Sequence, residues 1–216
     1  MKKLIVTSLK SNCIIFDFDG TIADTSPGIF NSIRYASNEL NLRTLSIEEL
    51  KHHLGPPIHE AYNKSFGISG LKLDEAIDLH KKYSLSTGYR EFEFYPGVIE
   101  VLEELKNRGY IMGIATTKPD AIIKKICQEN RLGKFFHTIN GAIGQESKKD
   151  VVKRCLEHLP ESRKVTMIGD SVFDEEAAKA IDIEFLGVTY GYGFTKDDRY
   201  ILKKTADSPR DILKNM

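Results

Sequence analysis

The sequence predicts a doubly wound α/β fold, in which helices cover both faces of a parallel β-sheet, with an all-helical domain inserted after the first strand. Short apolar runs alternate with helix-like segments between residues 98 and 190, and helices of about a dozen residues between strands require right-handed crossovers and a parallel sheet. Between residues 26 and 91, four helix-like segments follow one another without a strand. We therefore expect an α/β core formed by residues 1–25 and 92–216 and a helical cap domain formed by residues 26–91.

The first predicted strand, Cys13–Phe16, ends in a polar turn that contains Asp17, Asp19, Gly20 and Thr21. The strand is apolar without polar alternation, which is typical of a strand buried on both faces of a parallel sheet. Ligands of open α/β sheets bind at the carboxyl ends of the strands, and residues two apart on extended backbone point the same way. Because paired carboxylates repel each other, Asp17 and Asp19 indicate a cation site. Gly20 permits a sharp turn there, and Thr21 adds a hydroxyl donor.

The helical insert carries start and stop signals for its segments. Ser26 begins the first helix with proline in the first turn, Ser46 and Glu49 have the form of a capping box, and Gly67 ends the third segment. The glycine and prolines of the turn 54–58 build a rigid, projecting loop, which we expect to reach the ligand site at the strand ends. We expect the other polar candidates in the cap to lie on solvated faces or at helix ends: Arg34, Lys51, His52, His53, His59 and Lys64.

A second strand end with polar residues is Thr116-Thr117, which closes the apolar run 110–116. The hydroxyl of Thr116 and the amides that follow could bind an oxyanion. The same threonines, placed ahead of Pro119, could also cap the next helix. The two roles are compatible.

A third polar position is Lys148, in the segment Ser147-Lys-Lys-Asp150, which has the form of a capping box. Cations in the first turn oppose the helix dipole, and a bound phosphate would compensate for this. Lys148 lies on the apolar stripe of the helix, toward the sheet, whereas Lys149 is rotated toward solvent. Lys148 is therefore the candidate for binding phosphate, and two solvated surface lysines are the alternative.

The fourth polar strand end is Ile168-Gly-Asp-Ser-Val-Phe-Asp174. Asp170 would face Asp17 across adjacent strands, which gives the oxygen-rich site that Mg²⁺ prefers. Asp174 could hold Lys148 or a metal-bound water, or it could simply begin the next helix.

Charge and cysteine content narrow the class of protein. With 31 basic and 31 acidic residues the net charge is zero, so no overall field attracts nucleic acid or membrane. Cys13, Cys127 and Cys155 each lie in an apolar pattern, which favours buried thiols over disulfides. The apolar run near the amino terminus is too short for a signal peptide, and no run could span a bilayer. We expect a cytoplasmic protein, and the sequence predicts no oligomeric state.

The turn Asp17-Phe-Asp-Gly-Thr21 resembles the first motif of the haloacid dehalogenase superfamily in its phosphatase form. Thr116, Lys148 and the pair Asp170 and Asp174 follow in the order of the later motifs, and the helical insert is similar to the superfamily's first type of cap. Two positions depart from the pattern. Thr117 stands where many relatives have Asn, and the usual Lys-Pro pair is absent at residues 148–149.

The resemblance implies a Rossmann-like core and a Mg²⁺-dependent phosphatase that works through an aspartyl-phosphate. Asp17 would be the nucleophile, and Asp19 would protonate the leaving alcohol and later deprotonate water. The resemblance implies Thr116 and Lys148 as phosphate-binding residues. The implied metal ligands are Asp17, Asp19 and Asp170, and the supporting residues are Thr21, Thr117 and Asp174. The expected partner is a small phosphorylated metabolite.

The sequence leaves alternatives open for the substrate and for the type of reaction. The turn 54–58 and the entry at residues 95–97 resemble those of phosphoglycolate phosphatases, pyrophosphatases and nucleotidases, and we favour a phosphoglycolate-like small ester. A sugar-phosphate mutase shares all four motifs. Metal-free dehalogenation is disfavoured, because it has no use for a carboxylate at Asp19. A phosphorylatable receiver module also carries Asp, Thr and Lys at strand ends, but it has no helical insert and places its acceptor aspartate in mid-chain.

Overall fold

The computed structural model describes residues 11–162 and 164–216. Residues 1–10, which include the candidate signal segment and the start of the predicted core, lie outside the described residues. In the described ranges the strands are β1 (Asn12–Phe16), β2 (Ala23–Asp24), β3 (Glu93–Phe94), β4 (Ile111–Pro119), β5 (Phe136–Ala142), β6 (Lys164–Gly169), β7 (Glu184–Val188) and β8 (Thr205–Ala206). The α-helices are α1 (Ser26–Glu39), α2 (Ile47–Lys51), α3 (Ile58–Phe66), α4 (Leu71–Ser86), α5 (Val98–Asn107), α6 (Asp120–Glu129), α7 (Lys148–His158), α8 (Val172–Ala180) and α9 (Pro209–Asn215).

Strand β1 lies inside a six-stranded parallel sheet with the order β5-β4-β1-β6-β7-β8. Its last residue, Phe16, pairs in register with Ile114 of β4 and Ile168 of β6. The side chains from Cys13 to Phe16 are at most 1% exposed, because neighbouring strands cover both edges and helices cover both faces. The predicted parallel sheet with a fully buried first strand is confirmed.

Helices pack on both faces of the sheet, so the fold is doubly wound as predicted. Ile14 and Phe16 of β1 belong to a hydrophobic cluster with residues of α5, α6 and α9. Cys13 and Ile15 belong to a second cluster with residues of α7 and α8. Alternate side chains of β1 thus enter opposite layers, as the two-residue period of a strand requires.

Helices α1 to α4 enclose a hydrophobic cluster of their own, distinct from the two clusters beside the sheet. Leu50 and Tyr62 are fully buried in it, each 0% exposed. The all-helical insert after the first strand is therefore present. Its division from the core at residues 25/26 and 91/92 stays a prediction, and the separate cluster supports that division.

The two segments that join the insert to the core pair with each other, a pairing that was not predicted from the sequence. Ala23 pairs with Phe94, and Asp24 pairs with Glu93, in the antiparallel ribbon β2–β3. Each strand has only 2 residues, too few to show a periodic pattern. The ribbon fixes the entry and exit of the insert beside the carboxyl edge of the main sheet.

Several element ends differ from the prediction. Strand β4 continues past Thr116 to Pro119, with an irregular register against β5, and helix α6 begins after Pro119 without a side-chain cap. The threonines therefore do not serve as its N-cap. Strand β8 and helix α9 were not predicted. No helix within the described ranges is long and apolar enough to cross a membrane.

Candidate active site

Three buried carboxylates meet at the carboxyl edge of the sheet, where β1 and β6 lie side by side. Asp17 follows β1, Asp170 follows β6, and Asp174 lies in the first turn of α8. Their exposed fractions are 6%, 4% and 1% respectively, and one oxygen of each lies within 4.8 Å of the others. Parallel strand order thus brings together residues that are far apart in sequence.

The electrostatics of this cluster favour a divalent cation. Burial raises the pKa of Asp17 well above its usual value; Lys148 opposes the rise, and Asp174 and Asp170 add to it. Burial, followed by the charge of Asp174, raises the pKa of Asp170 to about 6. Three carboxylates face one ammonium group, that of Lys148, which leaves two negative charges when all are ionised. Buried carboxylate oxygens with this excess charge fit Mg²⁺.

The ammonium group of Lys148 is held by three acceptors. It forms an ion pair with Oδ1 of Asp17, lies 2.8 Å from Oδ1 of Asp174, and donates a hydrogen bond of 3.1 Å to the carbonyl of Ala115. Burial alone would lower the pKa of Lys148, but the two carboxylates outweigh it and the pKa is raised. From the sequence, a bound phosphate is expected to offset the unfavourable position of this lysine in the first turn of α7. In the structure, Asp17 and Asp174 supply that negative charge.

Asp174 also caps the helix in which it lies. Its Oδ2 accepts hydrogen bonds from the backbone N–H and the hydroxyl of Ser171, at 3.1 and 2.6 Å. Its other oxygen pairs with Lys148. Two of the roles that the sequence left open, holding Lys148 and beginning the helix, are therefore combined in one side chain.

Asp19 faces a different set of partners. Its Oδ2 accepts a hydrogen bond of 3.3 Å from the hydroxyl of Thr116, and its Oδ1 accepts one of 2.5 Å from Thr25. The ammonium of Lys118 lies 3.0 Å from Oδ1. The carboxylate of Asp19 is not a member of the acidic cluster formed by Asp17, Asp170 and Asp174, so its role as a metal ligand stays a prediction. The candidate acid–base group lies beside the candidate phosphate-binding hydroxyl.

Glycines let the backbone close around Asp170. Gly20 has φ +78°, and a Cβ there would lie 2.3 Å from Oδ2 of Asp170. A Cβ on Gly191 would lie 2.3 Å from the carbonyl oxygen of Gly20. Oδ2 of Asp170 accepts hydrogen bonds from the backbone N–H groups of Tyr192 and Gly193, at 2.6 and 3.2 Å. The turn after β1 and the loop after β7 therefore hold this carboxylate in place.

A cavity of about 660 Å³ lies above the carboxylates, between the sheet edge and the cap. Asp17, Asp19, Lys148 and Asp170 line its core side. The cap contributes the turn Gly55–Ile58, which agrees with the expectation that this turn reaches the site, together with Ile29, His53, Ala61 and His80.

His53 follows the C-cap of α2, in agreement with the expectation of a solvated face or a helix end, but it does not lie on a solvated face. It is 8% exposed, and its Nε2 lies 2.9 Å from the hydroxyl of Ser65. His80 of α4, which was not singled out from the sequence, also lines the cavity, and its Nδ1 lies 3.1 Å from the hydroxyl of Tyr62. Burial is the main cause that lowers the pKa of each histidine to about 4. Both rings are therefore neutral at pH 7.

The two threonines that the resemblance implies as supporting residues differ in burial. Thr21 is fully buried, and its hydroxyl has no hydrogen-bond partner within residues 11–162 and 164–216. Thr117 is exposed and lines the cavity. Their supporting roles stay predictions. Lys118 was not singled out, although a cation two residues beyond a polar strand end is a signal that could have indicated it.

Comparison with known families fits this arrangement. A family model described as haloacid dehalogenase-like hydrolase matches residues 14–188, a span that contains every predicted site residue. The chain belongs to this family. The superfamily, the α/β fold and the class of enzyme inferred from the motifs are therefore confirmed.

Curated relatives of this haloacid dehalogenase-like hydrolase carry several names. A 5'-nucleotidase of Pseudomonas aeruginosa is 29% identical, over 83% of this chain and 83% of the relative. Tyrosine-protein kinase PtkA of Mycobacterium tuberculosis is 30% identical over 83% of this chain but only 62% of its own length. A phosphoglycolate phosphatase of Vibrio parahaemolyticus is 29% identical, over 83% of this chain and 84% of the relative.

A solved structure shares the whole architecture. The haloacid dehalogenase-like family protein SP0104 from Streptococcus pneumoniae superposes with a TM-score of 0.85 and 29% identity, over 97% of this chain and 99% of that chain. The match spans both the core and the helical insert. The core and the helical insert therefore both have the fold of this family.

Proposed function

We propose that this hydrolase is a Mg²⁺-dependent phosphatase that cleaves a small phosphate monoester through an aspartyl-phosphate on Asp17. The position of Asp17 carries the proposal. Its carboxylate lies at the floor of the cap-covered cavity, Lys148 holds Oδ1, and Oδ2 has no hydrogen bond to any residue that the structure describes. An oriented carboxylate with one free oxygen suits attack on a bound phosphorus atom.

The first step transfers the phosphoryl group to the enzyme. A carboxylate oxygen of Asp17 forms a bond to phosphorus while the bond between phosphorus and the alcohol oxygen breaks. Asp19 gives a proton to the departing oxygen, so that a neutral alcohol leaves. Thr25, Thr116 and Lys118 contact the carboxyl group of Asp19 and orient it for this transfer.

The second step releases phosphate. A water oxygen forms the new bond to phosphorus while the bond between phosphorus and Asp17 breaks. Asp19, which lost its proton in the first step, accepts the proton of the water. Inorganic phosphate leaves, and both aspartates return to their starting states. The hydroxyl of Thr116 and the ammonium of Lys148 are the proposed phosphate-binding groups.

Asp17, Asp170 and Asp174 have the donor atoms to hold Mg²⁺, with Asp19 as a further candidate. A bound Mg²⁺ supplies positive charge that stabilises the phosphoryl group during transfer. Without a cation, the buried carboxylates repel one another, which adds to the burial that raises the pKa values of Asp17 and Asp170.

The size and the cover of the cavity support a small metabolite as substrate. At about 660 Å³ it falls within the range of roughly 300–1,000 Å³ typical of small-molecule sites. Relatives named phosphoglycolate phosphatase and 5'-nucleotidase make esters of both kinds the first to test. Cys13, Cys127 and Cys155 are buried and free, which supports a reducing, cytoplasmic location.

Phosphate release from p-nitrophenyl phosphate tests the proposal. We expect steady turnover with Mg²⁺, none with EDTA, and none for Asp17→Asn, while the exposed control Asp197→Asn keeps full activity. Circular dichroism and thermal melting establish that Asp17→Asn is folded. Activity retained by Asp17→Asn would reject the nucleophile. A single stoichiometric labelling in place of turnover would instead indicate a receiver module, and product isomerised from an added sugar bisphosphate would indicate a mutase.

A further inference from the structure

We infer that the alcohol released from the substrate is uncharged, partly apolar and able to form hydrogen bonds, as a nucleoside is, and that it contacts His53 and His80. The inference rests on the proposed phosphatase function and narrows the class of ester that this site accepts. It distinguishes such an alcohol from a carboxylate-bearing one such as glycolate.

The cap side of the cavity offers apolar contacts and two neutral rings. Ile29, Ile58, Ala61 and the two prolines of the turn Gly55–Ile58 supply the apolar part. His53 and His80 supply the polar side chains. Among the cap residues that the structure describes around this cavity, none carries a charge at pH 7, because the pKa of each histidine is lowered to about 4.

The cations on the core side lie beside the catalytic aspartates rather than on the cap side of the cavity. Lys148 contacts Asp17 and Asp174, and Lys118 lies 3.0 Å from Asp19. Lys118 loses its ionised partner when Asp19 carries the proton for the first step, but it then lies beside the departing oxygen. A second anion that points toward the cap would therefore meet no cation among the described cap residues of the lining. Burying an unpaired carboxylate is costly, whereas a neutral alcohol meets no such penalty.

The two histidines can bind a hydroxyl or carbonyl group. His80 uses Nδ1 toward Tyr62, and His53 uses Nε2 toward Ser65. The second nitrogen of each ring has no hydrogen-bond partner in the described part of the chain. A neutral imidazole has one donor and one acceptor, so each ring retains one group for a ligand. The volume of about 660 Å³ also exceeds what glycolate requires and accommodates a ring system.

A pair of nearly isosteric substrates that differ in charge tests the inference. We compare kcat/KM for 2-phosphoglycolate and its amide, 2-phosphoglycolamide, at pH 7 with Mg²⁺, with uridine 5'-monophosphate as the nucleoside ester and p-nitrophenyl phosphate as the general substrate. We expect kcat/KM for the amide to exceed kcat/KM for the acid by at least about tenfold, since the acid buries an unpaired charge. The kcat/KM for uridine 5'-monophosphate should exceed both values, because the nucleoside also contacts the apolar residues on the cap side of the cavity.

A positive charge placed on the cap should reduce or remove the preference for the amide. Pro57 is exposed and lines the cavity, so Pro57→Lys adds a cation there with little risk to folding, and Pro57→Gln is the matched neutral control. We expect Pro57→Lys to raise kcat/KM for 2-phosphoglycolate relative to the amide by about tenfold, and Pro57→Gln to leave that ratio unchanged.

The outcomes separate the inference from the proposed function. If the wild-type protein releases phosphate from p-nitrophenyl phosphate but cleaves 2-phosphoglycolate as efficiently as the amide, the inference is overturned and the phosphatase stands. An unchanged ratio in Pro57→Lys would also count against it. If no ester is cleaved with Mg²⁺, the phosphatase proposal fails, and the inference fails with it.

Discussion

Lys148 lies between Asp17 and Asp174 and pairs with both carboxylates, at a point where all three side chains are buried. Removing one partner of a buried ion pair leaves uncompensated charge and costs about 3–5 kcal/mol. We therefore expect Lys148→Met to lower the free energy of unfolding by about that amount in urea titrations without Mg²⁺, and to abolish phosphate release.

The neighbouring lysine provides the control for this prediction. Lys149 is exposed, and exposed charges contribute roughly 0–1 kcal/mol. Lys149→Met should therefore keep both stability and activity. A Lys148→Met protein as stable and active as Lys149→Met would show that the ion pairs contribute little.

Gly20 approaches Asp170 so closely that a methyl group cannot fit between them. The Cβ of an alanine would lie 2.3 Å from Oδ2 of Asp170. Gly20→Ala should therefore displace this carboxylate, reduce Mg²⁺ affinity and slow phosphate release. Isothermal titration with Mg²⁺ and the rate of p-nitrophenyl phosphate cleavage measure the two effects.

Gly109→Ala separates this contact from backbone strain. Gly109 has φ +82°, close to the +78° of Gly20, but a Cβ there meets no atom within 4 Å. Both variants carry the cost of a left-handed non-glycine residue, about 1–2 kcal/mol. Only Gly20→Ala should lose Mg²⁺ affinity. Equal behaviour of the two variants would mean that the approach to Asp170 has no role.

Most of the fold and part of the site could be predicted from the sequence. The strands before Asp17 and Asp170 are apolar runs with polar ends, and the order of a parallel sheet brings such ends together. The ribbon β2–β3 could not be predicted, because 2 residues per strand show no pattern. Lys118 pairs with Asp19 only through tertiary structure. The burial of His53 and His80 depends on how the cap covers the core, which their own helical pattern does not reveal.

Tyr192 links the loop after β7 to the entry of the helical insert. Its hydroxyl accepts hydrogen bonds from the backbone N–H groups of Thr25 and Ser26 and donates one of 2.8 Å to Asp24. Tyr192→Phe leaves these three groups without that partner, at a cost of about 1–3 kcal/mol. We expect faster amide hydrogen exchange at Thr25 and Ser26 and a lower melting temperature. Tyr200→Phe, at a residue that is 94% exposed, is the control, and unchanged exchange in Tyr192→Phe would contradict the link.

The buried histidines of the cap predict loss of stability in mild acid. Burial lowers the pKa of His80 to about 4 in the folded protein, against about 6.5 for an unfolded chain. Below the unfolded value, the unfolded state binds a proton that the folded state does not, so the stability present at pH 7 decreases as the pH falls from about 6.5 toward 4. The raised pKa of Asp170 acts in the opposite direction. The comparison must therefore be made between variants rather than in the wild-type protein alone.

His80→Gln isolates this contribution, because glutamine does not titrate and can still pair with Tyr62. We expect wild-type stability to fall relative to His80→Gln by on the order of 1–2 kcal/mol between pH 7 and pH 5, measured by urea unfolding with Mg²⁺ absent. The control His59→Gln, at an exposed position, should follow the wild-type curve. If the wild type and His80→Gln lose stability in parallel, His80 does not stay neutral in the folded cap. That result would contradict the inference that the cap side of the cavity is uncharged.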